Sequence, residues 1–213
     1  MVAAGALISG AGTNLQAIID RIAAGRLDCT LRVVISNRPA AAGLRRAQDA
    51  GIPTRVIEHG GFPTRDAFDR AVVTALGEAG VELVLLAGFD RLITRVFLDA
   101  FPLRIMNIHP ALLPAFTGLH GQRQALEYGA KIAGATVHFV DEHADHGPII
   151  AQGAVAIGPD DTEETVRQRI LAVEHELYPA AIQLFAEGRL TVDGRRVRVR
   201  GSRAPLPPPL LNW

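Results

Sequence analysis

Along the first half of the chain, short apolar runs alternate with stretches whose apolar residues recur every three or four positions. Ala6-Leu7-Ile8 reads as a buried strand. Leu15, Ile18, Ile19 and Ile22 then share one helical face, with Thr13 and Gln16 spaced as a capping box. Leu31 to Ile35 is β-branched and predicts a second strand. Pro39 to Ala50 predicts a helix that turns Leu44 and Ala47 inward and stops at Gly51. Thr54 to Ile57 reads as a third strand. Thr64 caps a helix carrying Phe68, Val72 and Leu76, which Gly80 ends. Glu82 to Ala87 is apolar without alternation, as in a parallel strand covered on both faces. This rhythm predicts an α/β fold built on a doubly wound, mostly parallel sheet.

After Phe101-Pro102 the texture changes. Arg104 to Ile108 predicts a strand that runs into the loop Asn107 to Pro114. A helix over Gln122 to Tyr128 precedes a strand pair at 135–140 and 149–155. From Asp160 to Gly188 the spacing predicts one long helix, with Val166, Ile170, Val173, Leu177, Ala181 and Leu184 on one face and a kink at Pro179. Val192 to Val199 reads as a hairpin. The tail, 201–213, carries Pro205, Pro207, Pro208 and Pro209 and predicts extended chain. With no linker between the halves, a single domain of two lobes is expected, 1–101 and 102–200.

Composition narrows the function classes. The 213 residues carry 22 Lys+Arg against 22 Asp+Glu, and 48% are hydrophobic. That is an ordinary globular balance, without the basic excess of a general nucleic-acid binder. No apolar run is long enough for a membrane span, and MVAAGALISG lacks the basic start of a signal peptide. Cys29, the one cysteine, cannot form an internal disulfide. A cytoplasmic protein without a membrane partner is therefore expected. Nearly all the cations are arginine; Lys131 is the only lysine.

Two loops hold the candidate chemistry. Ser9-Gly10-Ala11-Gly12-Thr13-Asn14 joins a strand to a helix start, where free N–H groups and the helix dipole favour an anion. A dinucleotide fingerprint would need a third glycine, where Leu15 stands, and an acid after the second strand, where Ser36-Asn37 stands. A phosphate-cradling lysine loop is also missing. A phosphomonoester thus fits better than a nucleotide cofactor. In the second half, alternation puts Asn107 and His109 on one side of a strand end, where an amide and an imidazole can hold an oxyanion and move a proton. A carboxylate from the loop Asp141 to Pro148 could orient His109. His138, His143 and His146 with three carboxylates invite a metal reading. His138 lies inside an apolar strand, however, and the spacing is not the helical His-Glu-x-x-His pattern, so no metal is expected. His59, His143 and His175 read as surface or satisfied core histidines, and Cys29 as a buried, inert thiol.

The stretches SGAGTNLQAIID, SNRPAAAGLRRAQDAGIP, LAGFDRL, NIHPALLPAFTGLHGQRQALEYG, GATVHFVDEHADHGPIIAQ and EHELYP stand in the order found in glycinamide ribonucleotide formyltransferases, which the chain resembles from about residue 5 to 200. The resemblance implies the Rossmann-like formyltransferase fold and transfer of a formyl group from 10-formyltetrahydrofolate, as cosubstrate, to 5-phosphoribosylglycinamide in purine synthesis. It implies no metal. It makes Asn107, His109 and Asp145 the catalytic trio, with Asp145 holding His109 in its cationic form. It gives Gly12, Thr13, Asn14 and Glu174 to the phosphorylated substrate. Arg65, Asp90, Arg91, Leu92, Val140, Asp141 and Glu142 fall to the folate pocket, with Arg65 meeting the folate's glutamate carboxylates. Formyltetrahydrofolate deformylase and formyltransferases on other amines share the trio and are the alternatives; the SGAGTN and GLHGQRQALE stretches favour the glycinamide branch. The chain departs from the pattern in lacking a lysine at Ala115 or Thr117, and in carrying Asp90, Gln122 and His146. A monomer and a homodimer are both compatible with this reading.

Overall fold

The computed structural model describes residues 1–201, so the expected extended tail lies almost wholly outside the described residues. In chain order the elements are β1 (Val2–Ile8), α1 (Thr13–Ala23), β2 (Cys29–Ser36), α2 (Ala42–Asp49), β3 (Thr54–Val56), α3 (Arg65–Glu78), β4 (Leu83–Leu86), α4 (Arg95–Ala100) and β5 (Ile105–His109). Then follow α5 (Gly121–Tyr128), β6 (Ile132–Phe139), β7 (Ile149–Ala156), α6 (Glu163–Ala186), β8 (Leu190–Asp193) and β9 (Arg196–Val199). The strands form one nine-stranded sheet in the order β3-β2-β1-β4-β5-β6-β7-β9-β8. From β3 through β5 every pairing is parallel. β6 and β7 then run antiparallel, and the β8–β9 hairpin joins at the far edge. The doubly wound sheet expected from the apolar rhythm is the one observed.

Its two faces divide the core. Along β1, Ala6 and Ile8 pack with Leu15, Ile18, Leu44 and Ile182, which α1, α2 and α6 bring to one face. Leu7 points the other way, toward Phe68, Val72, Leu76 and Phe97 of α3 and α4. A strand covered on both sides must be apolar throughout, which explains the unbroken hydrophobicity of β1 and β4. No described helix is long and apolar enough to cross a membrane.

Local details differ from expectation. Thr13 does not cap α1. The cap is Gly12, left-handed at φ 68°, and its carbonyl accepts from the Gln16 N–H at 2.9 Å. Glycine is needed there twice over, since a Cβ would also lie 2.6 Å from the Gly43 Cα. A capping box does form at α6, between Thr162 and Thr165. α2 begins at Ala42, not Pro39, because Pro39 sits in a turn that carries Asn37 toward the site. α6 continues through Pro179 as one helix. Cys29 is buried, and burial pushes its thiol up to about 12, so it is inert at neutral pH.

Candidate active site

In a doubly wound sheet the ligand cleft forms beyond the carboxyl ends of the strands, where the connections leave to opposite faces. β1 is that switch point here, since its neighbours β2 and β4 carry chain away in different directions. Register runs from Leu7 to Leu86 to Asn107, so the loop after β1 and the end of β5 lie at one edge of the sheet. One strand separates them, which at about 4.8 Å per strand is roughly 10 Å.

At the end of β5, His109 is 5% exposed. Its Nε2 lies 3.1 Å from the Phe116 carbonyl, which can only accept, so Nε2 carries a proton. Its Nδ1 lies 3.4 Å from Asp145 Oδ1. Asp145 is in turn fixed by the Gly118 N–H, which donates to Oδ2 at 2.8 Å, and by a left-handed backbone at φ 52°. Both ring nitrogens therefore face acceptors, an arrangement that a doubly protonated ring satisfies.

Asn107 is held by a residue the sequence reading set aside. Antiparallel pairing places His138 directly across from Asn107, and the Asn107 Nδ2 lies 3.1 Å from His138 Nε2. The amide nitrogen can only donate, so Nε2 is bare and Nδ1 carries the proton, 2.9 Å from the Phe139 carbonyl. Burial depresses the His138 pKa and keeps the ring neutral, which suits this role. The amide's flip is thus fixed, leaving one N–H and the carbonyl for a ligand. His138 lies inside an apolar strand, and only the β5–β6 register could reveal its partner.

On the other side of the cleft, Asn14 donates to Glu174 at 2.8 Å across 160 residues. α6 is pinned one turn later by Tyr178, whose buried hydroxyl lies 2.9 Å from the Met106 carbonyl and 3.2 Å from that of Leu86. Glu174 is therefore set in height against β4 and β5. Its carboxyl is pushed above the ordinary range by burial, against the pull of the Asn14 bond. Between the ordinary value and that raised one, the folded chain holds a proton the unfolded chain has lost. Stability thus falls as pH rises through that window, and the cost is complete above it. Glu174→Gln is expected to melt higher than wild type near pH 8 and alike near pH 4. Each ~1 kcal/mol corresponds to about 2–4 °C in a chain this size. Equal melting at both pH values would refute the linkage.

Asp90 turns away from an apolar wall into a polar junction. Its Oδ1 accepts from Asn37 Nδ2 and faces Ser9 Oγ, each at 2.9 Å, and Arg38 pairs with Oδ2. Burial opposes its charge, but the bonds from Asn37, Ser9 and Arg38 prevail and hold it below the usual carboxylate range. Ser9, Asn37 and Asp90 tie together the loops after β1, β2 and β4. Arg65, Arg91 and Leu92 do come together, lining a cavity of about 210 Å³ with His59, Phe62 and Phe68. Val140 packs on that side of the core, Asp141 faces His146, and Glu142 lies 3.6 Å from Arg95.

Residues 4–182 match the formyl transferase family. The chain belongs to that family. It is 41% identical over 199 residues to phosphoribosylglycinamide formyltransferase of Escherichia coli strain K12, covering 93% of this chain and 94% of that one. This near end-to-end likeness places it among the phosphoribosylglycinamide formyltransferases. It is also 48% identical over 189 residues to the trifunctional purine biosynthetic protein adenosine-3 of Drosophila melanogaster, covering 88% of this chain but spanning only 14% of that longer protein. The crystal structure of glycinamide ribonucleotide transformylase 1 from Symbiobacterium toebii superposes with a TM-score of 0.92 at 55% identity, over 93% of this chain and 94% of that one. In this formyltransferase, the trio Asn107, His109 and Asp145 thus stands at the sheet end where the fold forms its cleft.

Proposed function

We propose that the chain transfers a formyl group from 10-formyltetrahydrofolate to the amine of 5-phosphoribosylglycinamide. The observation that carries this reading is the assembly of Asn107, His109 and Asp145 one strand away from the Gly12–Asn14 loop and Glu174. The phosphate would sit on the free N–H groups at the start of α1, with Thr13 beside it. Glu174 would accept from the glycinamide ribonucleotide. The amine would then reach the formyl carbon near Asn107, and the cavity of Arg65, Arg91 and Leu92 would take the folate's outer end.

Attack of the neutral amine on the formyl carbon gives a tetrahedral oxyanion. The free N–H of Asn107 and the cationic ring of His109 would stabilise it, and Asp145 would balance the ring's charge. The proton lost by the amine would pass toward N10 of the leaving folate. No covalent enzyme intermediate is needed. The chain would act in the cytoplasm on these small molecules, as a monomer or homodimer and without nucleic acid, in keeping with its zero net charge. Its chemistry is proposed without a metal.

Arg46 supplies the charge that the absent lysine would bring to the phosphate. Its Nε donates to the Ala11 carbonyl at 2.8 Å, which anchors the guanidinium against the phosphate loop. Arg46→Ala is expected to raise KM for the phosphorylated amine about tenfold while kcat changes little; an unchanged KM would remove Arg46 from the site. The reading itself is tested by following tetrahydrofolate release with and without 5-phosphoribosylglycinamide. Release that needs the amine supports it. Release without the amine would indicate deformylase chemistry, and release only with another amine would redirect the acceptor assignment.

A further inference from the structure

The loop between β6 and β7, which also carries the folate-pocket candidates Asp141 and Glu142, brings together three side chains able to ligate a metal ion. We propose that Asp141, His143 and His146 form a surface site for a zinc ion. One ligand atom from each lies within 4.8 Å of the others. The His143 N–H donates to Asp141 Oδ1 at 3.0 Å, which curls the loop, and His146 Nδ1 lies 2.8 Å from Asp141 Oδ2. The two imidazoles meet edge to face, with centroids 5.1 Å apart and planes inclined at 62°. Zinc bonds of about 2.0–2.2 Å put tetrahedral donors roughly 3.3 Å apart, so side-chain rotations of small extent would close the set. Water would complete the coordination.

Chemistry selects the ion. Two imidazoles and one carboxylate are borderline donors that suit zinc, whereas magnesium and calcium prefer all-oxygen shells. All three ligands fall within six residues, so little chain entropy is lost on closing the loop around the ion. His138, the third imidazole considered from the sequence, is committed to Asn107 and takes no part. A protein cation already lies against the cluster: Arg195, from the β8–β9 turn, places Nη1 3.0 Å from His146 Nε2 and donates Nη2 to the His146 carbonyl. Zinc would compete with that guanidinium for the His146 ring. The loop also contains Asp145, so the ion would order the turn that holds the carboxylate against His109.

The test uses the untagged full chain without folate or amine, so its outcome is independent of the transfer reaction. Zinc is titrated against a chromogenic chelator, with amide hydrogen exchange over residues 141–147 as a second readout. One zinc per chain is expected, with slower exchange in the loop, and His143→Ala and His146→Ala should each weaken binding by about tenfold or more. Failure of the wild type to compete with the chelator would overturn the proposal. So would wild-type affinity in either variant, or loop exchange unchanged by saturating zinc.

Discussion

His109→Ala is expected to lower kcat on the order of 10²–10³-fold while leaving folate affinity within a few-fold. The ring is buried at the sheet end, with a carbonyl on one nitrogen and a carboxylate on the other. Removing it would take away the cation proposed to face the developing oxyanion, and the buried, neutral His138 ring, held by Asn107, would not replace it. The ring does not line the cavity of Arg65, Arg91 and Leu92, so ground-state folate contacts should survive. Steady-state kinetics with folate binding measured separately checks this. A variant with near-normal kcat would remove His109 from the chemistry, and one that lost binding and turnover equally would make it a folding residue. The cost should exceed that of Asp145→Asn, which keeps an acceptor oxygen for either Nδ1 or the Gly118 N–H, though not for both.

Gly147→Ala is expected to damage both stability and turnover. A Cβ there would lie 1.8 Å from the Phe139 carbonyl oxygen and 3.2 Å from the Asp141 nitrogen. Both obstacles are backbone, so no side chain can swing aside and the loop itself must move. Overpacking of this kind costs about 1–3 kcal/mol. The displaced segment carries Asp145, whose bond to Gly118 and contact with His109 depend on its left-handed turn. A shift of ~1 Å in such a group can lower turnover on the order of 10²-fold. Melting and kcat measured on the same preparation decide the point. Loss of stability with full turnover would show that the loop absorbs the methyl group without moving Asp145.

Much of the fold was legible because its signals are local. Unbroken apolar runs at Glu82–Ala87 and helical spacing at Leu15–Ile22 follow from burial on two faces and on one. Thr64 was readable as a cap, and its hydroxyl does accept from Ala67 at 3.1 Å. Thr13 was misread, because spacing alone cannot show that Gly12 adopts a left-handed conformation against Gly43. Asn107 and His109 were legible as a pair because alternation along one strand fixes their side. Joining them to Asp145 and Glu174 came from resemblance, since nothing local in the chain connects those positions.

The sequence by itself determined the order of strands and helices except for the short α4, together with the anion-friendly turn at Gly12–Asn14 and the polar pair at the end of β5, each through interactions between near neighbours. The tertiary structure decided which partners those residues meet. His138 faces Asn107 through antiparallel register, and Asp90 joins Ser9 and Asn37 because three loops converge at the switch point. Arg46 reaches Ala11 because α2 packs on the loop after β1, and Glu174 reaches Asn14 because Tyr178 pins α6 to the sheet. These contacts join residues far apart in the chain, and their geometry is set by how strands align and helices pack. Local sequence pattern encodes periodicity and turns, but it carries no register.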